Sequence, residues 1–408
     1  MSDAQISLLV TLTGRDRPGV TSRLFAALSA HDLSVVDVEQ VVIRGRLILG
    51  VLLSCGPAPD LTAIHRQVTD LAADLGMDAE ITMGSVERPP RRRGSLHVTV
   101  LGSPLAPAVI AAIAGRIAAN GANIDRIGRL AYQPVTCIEF DVSGADPVTL
   151  RASLARESVD LGVDVAVQRG GLHRRAMRLI VMDVDSTLLQ DEAIELLAAQ
   201  AGCAAKVAEL TAAAMRGETD FAQSLHERVA LLAGLEVAVI DKLLQSLRLT
   251  PGARTLIRTL KRLGYRCGVV SGGFTQFTDW LTAELGLDFA AANTLEIADG
   301  RLTGRVVGEI IDRPGKERAL RAFAAQAQVP LSQAVAVGDG ANDLDMIAAA
   351  GLGIAFNAKP MVRSAADTSV SVPQLDAILY LLGISRHDVE AADAEDLLAS
   401  GPPAGTAR

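Results

Sequence analysis

Aromatic residues are scarce in this chain. Phe, Trp and Tyr make up 3% of its 408 residues, whereas hydrophobic residues of all kinds make up 49%. Ala, Val, Leu and Ile must therefore fill any buried core. A chain of this length is also too long for one ordinary domain, so we expect two or three.

Cysteine is also sparse, and no C-x-x-C pair occurs. Cysteines that lie far apart, outside any such motif, favour reduced and mostly buried residues in a cytosolic protein. The sequence contains Cys55, Cys137, Cys203 and Cys267.

The sequence has neither excess positive charge nor long apolar runs. The formal net charge is −8, which argues against a nucleic-acid partner but allows a small anionic substrate at a locally positive site. Residues 1–5 carry no basic patch ahead of an apolar stretch. The longest nearly apolar run, from Arg46 to Asp60, is too short to span a bilayer. We therefore expect a soluble, cytoplasmic protein with no membrane partner.

Short stretches rich in Pro, Gly and Arg divide the chain at residues 87–94 and 170–175. This composition disfavours regular structure, and we interpret both stretches as solvated linkers. Residues 391–408 are rich in Ala, Gly, Pro and Asp, which predicts a flexible tail. The predicted domains are residues 1–90, 95–170 and 175–390.

The first two domains share one pattern. Apolar residues alternate from Ile6 to Leu12, as in a strand, and then recur at helical spacing from Val20 to Leu28. Two strands, a helix and a last strand follow, which gives the order βαββαβ of a ferredoxin-like split unit. Residues 95–170 repeat this order, so the sequence predicts two small α+β domains in tandem.

The third domain has a different pattern. Short apolar strands alternate with helices, which predicts an α/β fold with a parallel, Rossmann-like sheet. Between residues 190 and 250 the pattern is almost wholly helical, and we expect a helical cap inserted over the sheet. The clearest strands are Leu179–Met182, Cys267–Val270, Ala334–Val337 and Leu352–Phe356.

Two carboxylates, Asp183 and Asp185, follow directly after the strand Leu179–Met182. Ligands of open α/β sheets bind beyond the carboxyl ends of strands. Two carboxylates there would repel each other in a dry site, and a divalent cation would relieve the repulsion. One could then bind Mg²⁺ and attack phosphorus while the other handles a proton. A surface turn is the alternative interpretation, because Asp and Ser are common in turns.

Three further elements follow in order along the chain. Residues 271–273, Ser-Gly-Gly, place a hydroxyl and bare amides at the end of a strand, and Lys316 precedes a helix. Each is weak evidence alone, because Ser-Gly turns and solvated lysines are common. Asp339 and Asp343 follow a third strand, and such a pair suits a metal site with oxygen ligands.

Together the four elements resemble the haloacid-dehalogenase superfamily in residue type, order and structural setting. Residues 183–187, Glu192 and residues 271–274 resemble the phosphoserine phosphatase family in particular, and the resemblance covers residues 177–382. It implies a haloacid-dehalogenase-like sheet with a cap.

The resemblance also implies roles for these residues. Asp183 would be the nucleophile that forms an aspartyl-phosphate, and Asp185 the acid and then the base. Asp183, the backbone carbonyl of Asp185 and Asp339 would bind Mg²⁺, for which Mn²⁺ is an alternative with the same oxygen ligands. Asp343 would support the water shell of the metal. The phosphate contacts would be Ser271, Gly272 and Lys316.

Substrate choice should lie in the cap. Glu192 and Arg228 resemble the family residues that bind the ammonium and carboxylate of phosphoserine, and Asn342 resembles another substrate contact. A guanidinium suits a carboxylate because it can donate two parallel hydrogen bonds. An exposed helix charge is the alternative for Arg228. Phe221 and Met215 match cap positions that shield the site.

The tandem βαββαβ units resemble ACT domains, which are amino-acid-sensing modules. In the first, residues 14–20 lie between strand and helix, where the family binds an effector. The helix N-terminus could bind a carboxylate, Asp16 an ammonium, and Gly19 would allow close approach. An ordinary turn that starts a helix is the alternative. Residues 101–106 of the second unit lack the acid and the second glycine, so that unit is structural or forms one wall of a shared site.

The hypothesis from sequence is a phosphoserine phosphatase that completes L-serine biosynthesis, is regulated by L-serine and forms a homodimer through its ACT domains. The alternatives are a phosphatase for phosphothreonine, phosphoproteins or another phosphomonoester, a phosphotransferase, and a sensor that has lost activity. Glu192 and Arg228 favour a free amino acid. The silent sensor is disfavoured because every expected catalytic position is filled.

Overall fold

The computed structural model describes residues 6–85, 95–215 and 219–399. The chain forms two compact units, residues 1–91 and 92–408. The linker predicted at 87–94 and the end of the predicted tail, residues 400–408, lie outside the described residues. Among those described, no helix is both long and apolar enough to cross a membrane.

The first unit is a βαββαβ domain with an antiparallel sheet in the order β2-β3-β1-β4. Alternation in β1 turns Leu8, Val10 and Leu12 toward the helices, where they are buried. The carboxylate of Asp60 caps the second helix by accepting from the amide of Ala63 (2.9 Å). The elements are β1 (Ile6–Arg15), α1 (Val20–Leu28), β2 (Leu33–Ile43), β3 (Arg46–Cys55), α2 (Leu61–Leu75) and β4 (Asp78–Ser85).

The second unit begins with another βαββαβ domain, whose antiparallel sheet has the equivalent order β6-β7-β5-β8. Asp146 caps its second helix by accepting from the amide of Thr149 (2.9 Å). The elements are β5 (Ser95–Gly102), α3 (Pro107–Ala119), β6 (Asn123–Ala131), β7 (Thr136–Ser143), α4 (Pro147–Leu161) and β8 (Asp164–Arg169).

The rest of the second unit is an α/β domain with a seven-stranded sheet in the order β12-β11-β10-β9-β13-β14-β15. Every pairing is parallel except that of β11 with the edge strand β12. All four residues of the central strand β9 (Leu179–Met182) are fully buried, because helices cover both faces of a parallel sheet. The other strands are β10 (Arg266–Phe274), β11 (Phe289–Ala298), β12 (Arg301–Val307), β13 (Ala334–Gly338), β14 (Leu352–Phe356) and β15 (Thr368–Val370).

Four helices between β9 and β10 form the cap and share an apolar core that includes Leu197, Leu225 and Val229. They are α6 (Ala193–Gln200), α7 (Ala204–Met215), α8 (Phe221–Ala230) and α9 (Ala238–Ser246). The remaining helices are α5 (Leu172–Arg175), α10 (Ala253–Arg262), α11 (Thr275–Leu285), α12 (Arg313–Gln326), α13 (Leu344–Ala349), α14 (Pro360–Ala365), α15 (Ile378–Leu381) and α16 (Arg386–Ala399).

The second βαββαβ domain packs on the α/β domain through buried polar groups. Asp164, only 3% exposed, accepts from the amide of Ser371 (2.6 Å) and from the hydroxyl of Ser369 (2.9 Å). Gln168 donates to the carbonyl of Leu381 (2.9 Å). A buried carboxylate is stable only where hydrogen bonds replace its water, so these contacts fix the two domains to each other.

Two predictions about irregular segments are wrong. The stretch 170–175 is not wholly a solvated linker, because Arg174 is buried and donates to the carbonyls of Leu381 (3.0 Å) and Tyr380 (2.9 Å). Residues 391–399 are not part of a flexible tail but belong to α16. Asp393 in this helix is bonded to Arg258 (2.6 Å), so a partner distant in sequence stabilises it.

Candidate active site

Asp183 lies at the carboxyl end of β9 and is 3% exposed. Its amide donates to the carbonyl of Val337 in β13 (2.9 Å), which fixes it between two central strands. Its Oδ1 accepts from the amide of Val184 (2.8 Å), at the start of a single π turn, Val184–Leu188. Within that turn Ser186 takes a positive φ of 58°, in the left-handed region that non-glycine residues seldom adopt.

Lys316 reaches the same point from α12. The Nζ atom lies 2.7 Å from Asp183 Oδ1 and 2.7 Å from Asp343 Oδ1, and the side chain is 1% exposed. Burial by itself lowers the pKa of Lys316, but attraction to these two carboxylates outweighs burial and raises that pKa. Lys316 is therefore a fixed positive charge inside the site and not a solvated lysine.

The loop after β13 brings two more carboxylates. Asp343 is fully buried, and its Oδ2 accepts from the amides of Asp339 (3.1 Å) and Gly340 (3.0 Å). Asp339 Oδ1 accepts from the hydroxyl of Thr187 (3.3 Å). Asn342 is half-buried in the same loop. The loop thus wraps around Asp343 and presents Asp339 beside Asp183.

The carboxylate oxygens of Asp183, Asp339 and Asp343 lie within 4.8 Å of one another. Burial, and then the charge of Asp343, raises the pKa of Asp183 well above its usual range. The same two causes raise the pKa of Asp339 to about 6. The cluster therefore holds more negative charge than Lys316 balances, and its all-oxygen donor set fits a hard divalent cation.

Asp185 is bonded at both carboxylate oxygens. Its Oδ2 accepts from the hydroxyl of Ser271 (2.9 Å), and its Oδ1 accepts from the amide of Ala193 at the start of the cap (2.8 Å).

The cap helix α8 comes close to the end of β10. A Cβ atom on Gly272 would lie 3.1 Å from the ring of Phe221. A glycine therefore lets this cap helix approach the end of β10 closely.

The cap brings Glu192 and Arg228 to the site. Glu192 accepts from the hydroxyl of Ser186 (2.8 Å), and burial, followed by the charge of Asp185, raises its pKa to about 7. Arg228 is 9% exposed and donates to the carbonyl of Ser224 (3.1 Å). Burial lowers the pKa of Arg228, opposed by the charges of Glu192 and Asp185. Arg228 is thus not an exposed helix charge.

Comparison with known proteins agrees with this geometry. Residues 180–348 match the haloacid dehalogenase-like hydrolases, and residues 7–82 and 95–168 each match an ACT domain. The chain is 62% identical to a phosphoserine phosphatase of Streptomyces coelicolor, over 98% of this chain and 99% of that protein. The chain belongs to the phosphoserine phosphatase family.

Two other family members are also similar to this one. The phosphoserine phosphatase SerB2 of Mycobacterium tuberculosis is 54% identical over 96% of this chain and 97% of its own. A crystal structure of a probable phosphoserine phosphatase from Vibrio cholerae superposes with a TM-score of 0.57 at 34% identity, covering 76% of this chain and 91% of that one. The predicted family and fold class, a capped haloacid-dehalogenase-like sheet after two ACT domains, are confirmed.

The first ACT domain has a groove of about 370 Å³ at the predicted effector position. Gly19 precedes α1 with a φ of 92°, in the left-handed region that favours glycine. The groove lies beside the first turn of α1, where Thr21 donates to the side chain of Gln40 (2.8 Å). Among the lining residues are Asp16, Pro18, Gly19, Thr21, Gln40 and Leu47.

Sequence reasoning did not assign roles to several polar partners in the active site. Thr187 donates to Asp339, and Arg228 Nη1 lies 3.4 Å from the hydroxyl of Thr211. Thr187 belongs to residues 183–187, which carry the family resemblance, so its place in the sequence could have identified it as a site residue. Thr211 is an ordinary residue of a helix, and only its tertiary contact identifies it. The side chain of Met215 lies outside the described residues.

Proposed function

We propose that this enzyme hydrolyses O-phospho-L-serine to L-serine and phosphate, the last step of L-serine biosynthesis. The observation that carries the proposal is the buried charge in the cap. Arg228 is buried within reach of the charges of Glu192 and Asp185, and Glu192 is buried within reach of the charge of Asp185. They supply one positive and one negative group for the two charges that a free amino acid carries besides its phosphate.

The first chemical step forms a bond between Asp183 and phosphorus while the bond from phosphorus to the serine oxygen breaks. Asp185 gives its proton to the departing serine oxygen. Both Lys316 and the amide of Val184 bind Oδ1 of Asp183, so we expect Oδ2 to attack.

In the second step Asp185 takes a proton from water. The water oxygen attacks phosphorus, and the bond to Asp183 breaks, which releases phosphate and restores the carboxylate of Asp183 and the protonated form of Asp185. Ser271, Gly272 and the ammonium of Lys316 would supply the donors that hold the phosphoryl oxygens in both steps.

Mg²⁺ is the cofactor that the donor set suits, and Mn²⁺ is compatible with the same oxygens. Asp183, Asp339 and the backbone carbonyl of Asp185 would hold the ion. Both oxygens of Asp343 already accept hydrogen bonds, which suits support of the metal's water shell. When bound, the ion offsets charge on the transferring phosphoryl group.

Glu192 would bind the substrate ammonium, Arg228 its carboxylate, and Asn342 would add a further contact. A nearby ammonium favours the ionised form of Glu192, which burial opposes, so substrate binding and ionisation of this group support each other. A phosphoserine inside a protein has neither free group, which disfavours phosphoproteins as substrates.

Phosphate release from O-phospho-L-serine, O-phospho-L-threonine and a phosphoserine peptide, each with Mg²⁺, tests the assignment. We expect kcat/KM to be highest for phosphoserine and activity to be lost in Asp183→Asn. A preference for the peptide would overturn the substrate proposal. Release of the phosphoryl group to an added alcohol in place of water would support the phosphotransferase.

Regulation by L-serine is assigned to the groove of the first ACT domain. Asp16 would bind the ammonium, and the amides before α1 would bind the carboxylate. We expect Asp16→Ala and Gly19→Ala to lose inhibition by serine while kcat persists. Ser103→Ala, in the matching loop of the second ACT domain, should keep inhibition by serine. Serine inhibition that is unchanged in both first-domain variants contradicts this placement.

A homodimer through ACT domains is proposed from the edge strand β2. Val35, Val38 and Val42 on this strand are 55%, 40% and 45% exposed, and unpaired edges with apolar side chains favour pairing with another chain. Light scattering should give a molar mass twice that of one chain, and Val38→Lys should lower the measured mass toward that of the monomer. A monomeric wild-type protein contradicts the dimer.

A cytoplasmic location is also proposed. All four cysteines are free thiols, and three of them are buried, which suits a reducing compartment. Localisation of a tagged chain by cell fractionation tests this, and recovery outside the cytoplasm contradicts it.

A further inference from the structure

The strand β10 leaves its ladder with β11 just where the phosphate-binding segment begins. Pairing is regular up to Val270 and resumes only at Phe274, opposite Asn293. The Gly272 carbonyl therefore needs a partner outside the ladder. Asn293 supplies it, because its Nδ2 donates to this carbonyl (2.9 Å) from a side chain that is fully buried.

The same amide also holds a second segment of the site. Oδ1 of Asn293 accepts from the backbone amide of Ile311 (2.8 Å). Ile311 directly precedes Asp312, which caps α12 by accepting from the amide of Gly315 (2.8 Å). That helix carries Lys316. One side chain thus joins the phosphate-binding segment to the start of the lysine helix.

The two partners fix the orientation of the amide. A carbonyl can only accept and a backbone N–H can only donate, so the nitrogen must face Gly272 and the oxygen Ile311. An aspartate of the same shape keeps the acceptor, but it offers a donor only when protonated. A leucine or alanine offers neither.

A chain of hydrogen bonds leads from Asn293 to Asp185. The Gly272 carbonyl and the Gly273 N–H belong to one planar peptide group, so holding one sets the direction of the other. Gly273 N–H donates to Ser271 Oγ (2.7 Å), and Ser271 Oγ donates to Asp185 Oδ2 (2.9 Å).

We infer that Asn293 is a positioning residue for phosphoryl transfer, which orients the peptide between Gly272 and Gly273 and, through Ser271, the carboxyl of Asp185. This role rests on the proposed chemistry of Asp183 and Asp185. Asn293 acts on the reacting groups only through other residues. The residues proposed to bind the substrate's ammonium and carboxylate, Glu192 and Arg228, lie in the cap and not beside Asn293. Its loss should therefore lower kcat far more than it changes KM.

The test compares Asn293→Ala, which loses both bonds, with Asn293→Asp, which keeps the acceptor for Ile311. Thr278→Val is the matched control. Thr278 is 1% exposed, lies in the helix that follows the same segment, and donates to the carbonyl of Thr275 (3.2 Å). This variant loses a buried hydrogen bond without affecting Gly272.

Each variant is assayed with O-phospho-L-serine and with p-nitrophenyl phosphate over slightly acidic to alkaline pH, after folding is checked by circular dichroism. We expect kcat to fall about 10–100-fold for Asn293→Ala on both substrates, with little change in KM, as small misplacements of reacting groups do. For Asn293→Asp, kcat relative to wild type should be low at alkaline pH, where the carboxyl is ionised and can no longer donate a hydrogen bond to the carbonyl of Gly272. Thr278→Val should keep the wild-type kcat.

The inference is overturned if both Asn293 variants keep kcat as well as Thr278→Val does at every pH, or if they raise KM alone. p-Nitrophenyl phosphate carries neither an ammonium nor a carboxylate. Its turnover reports phosphoryl transfer even where phosphoserine is not hydrolysed, so failure of the substrate assignment is distinguishable from failure of the role given to Asn293.

Discussion

The ammonium of Lys316 lies 2.7 Å from Asp183 and 2.7 Å from Asp343, with all three side chains almost wholly buried. A lysine in this position balances charge that water cannot reach, and it does so before any substrate arrives. The contact also holds Oδ1 of Asp183, which in the proposed mechanism leaves Oδ2 to attack phosphorus.

Replacing this lysine tests its electrostatic role. We expect Lys316→Met to lower kcat by about 10²–10³-fold, because removal of one fixed donor from a desolvated site has effects of that order. Steady-state kinetics at saturating Mg²⁺ measure the loss. Lys206→Met, which removes an exposed cap lysine paired with Glu209, should leave kcat unchanged. A kcat for Lys316→Met close to wild type would contradict the role.

The raised pKa of Glu192 predicts a specific dependence of stability on pH. The folded protein holds a proton on this group up to about pH 7, whereas the ordinary value is 4.5. The folded state therefore binds more protons in this window, and its free energy of unfolding falls as pH rises through it. The loss should amount to about 3 kcal/mol at the alkaline end.

Glu192→Gln carries no such proton and should remove this part of the pH dependence. Denaturant unfolding of the metal-free protein at several pH values measures this dependence. The free energy of unfolding of the variant should rise relative to that of wild type as pH rises. Glu227→Gln, at an exposed position in the cap, should follow the wild-type curve. Parallel curves for Glu192→Gln and wild type would refute the raised pKa.

The close approach of Phe221 to Gly272 predicts an interaction between two substitutions. Gly272→Ala places a methyl group 3.1 Å from the ring, so we expect the ring to push the cap helix away and kcat to fall. Phe221→Leu relieves the contact, and the double variant should recover part of the loss. We expect a coupling of about 1 kcal/mol in a double-mutant cycle on kcat/KM. Additive effects would mean that the ring moves away freely.

The buried carboxylate of Asp164 predicts a loss of stability without a loss of chemistry. Asp164→Asn removes the charge and one of the two acceptor oxygens that bind the amide of Ser371 and the hydroxyls of Ser369 and Ser371, and we expect the free energy of unfolding to fall by about 1–3 kcal/mol. Asp146→Asn, at an exposed helix cap, should cost less because Asn caps helices well. Calorimetry and kcat together check this, and an unchanged transition temperature contradicts it.

The parts of the fold that sequence predicted are those with local causes. Alternating apolar residues predict strands such as β1, and the ends of parallel strands place Asp183, Ser271 and Asp339 at one edge of the sheet. Each of these inferences needs only the spacing of apolar residues along the chain and the direction in which the strands run. In the structure Asp183 and Asp339 lie in one carboxylate cluster, and Ser271 is bonded to Asp185.

The parts that sequence did not predict depend on partners far along the chain. Arg174 looks like part of a basic linker until the carbonyls of Tyr380 and Leu381 are placed beside it. Helix α16 looks irregular until Asp393 meets Arg258. Asn293 is one of several polar residues in β11, and neither Thr294 nor Glu296 beside it gives a sign of its buried contacts.

The buried contacts of Gln168 and Arg174 with Leu381 bear on how a minimal version of the enzyme could be made. A chain that begins after residue 175, where the α/β domain begins, would lose these donors and would expose to water the apolar residues that pack in one cluster with Leu101, Val135 and Cys137. A chain that starts near residue 92 keeps these donors. We therefore expect the smallest stable catalyst made from this chain to include the second ACT domain as part of its scaffold.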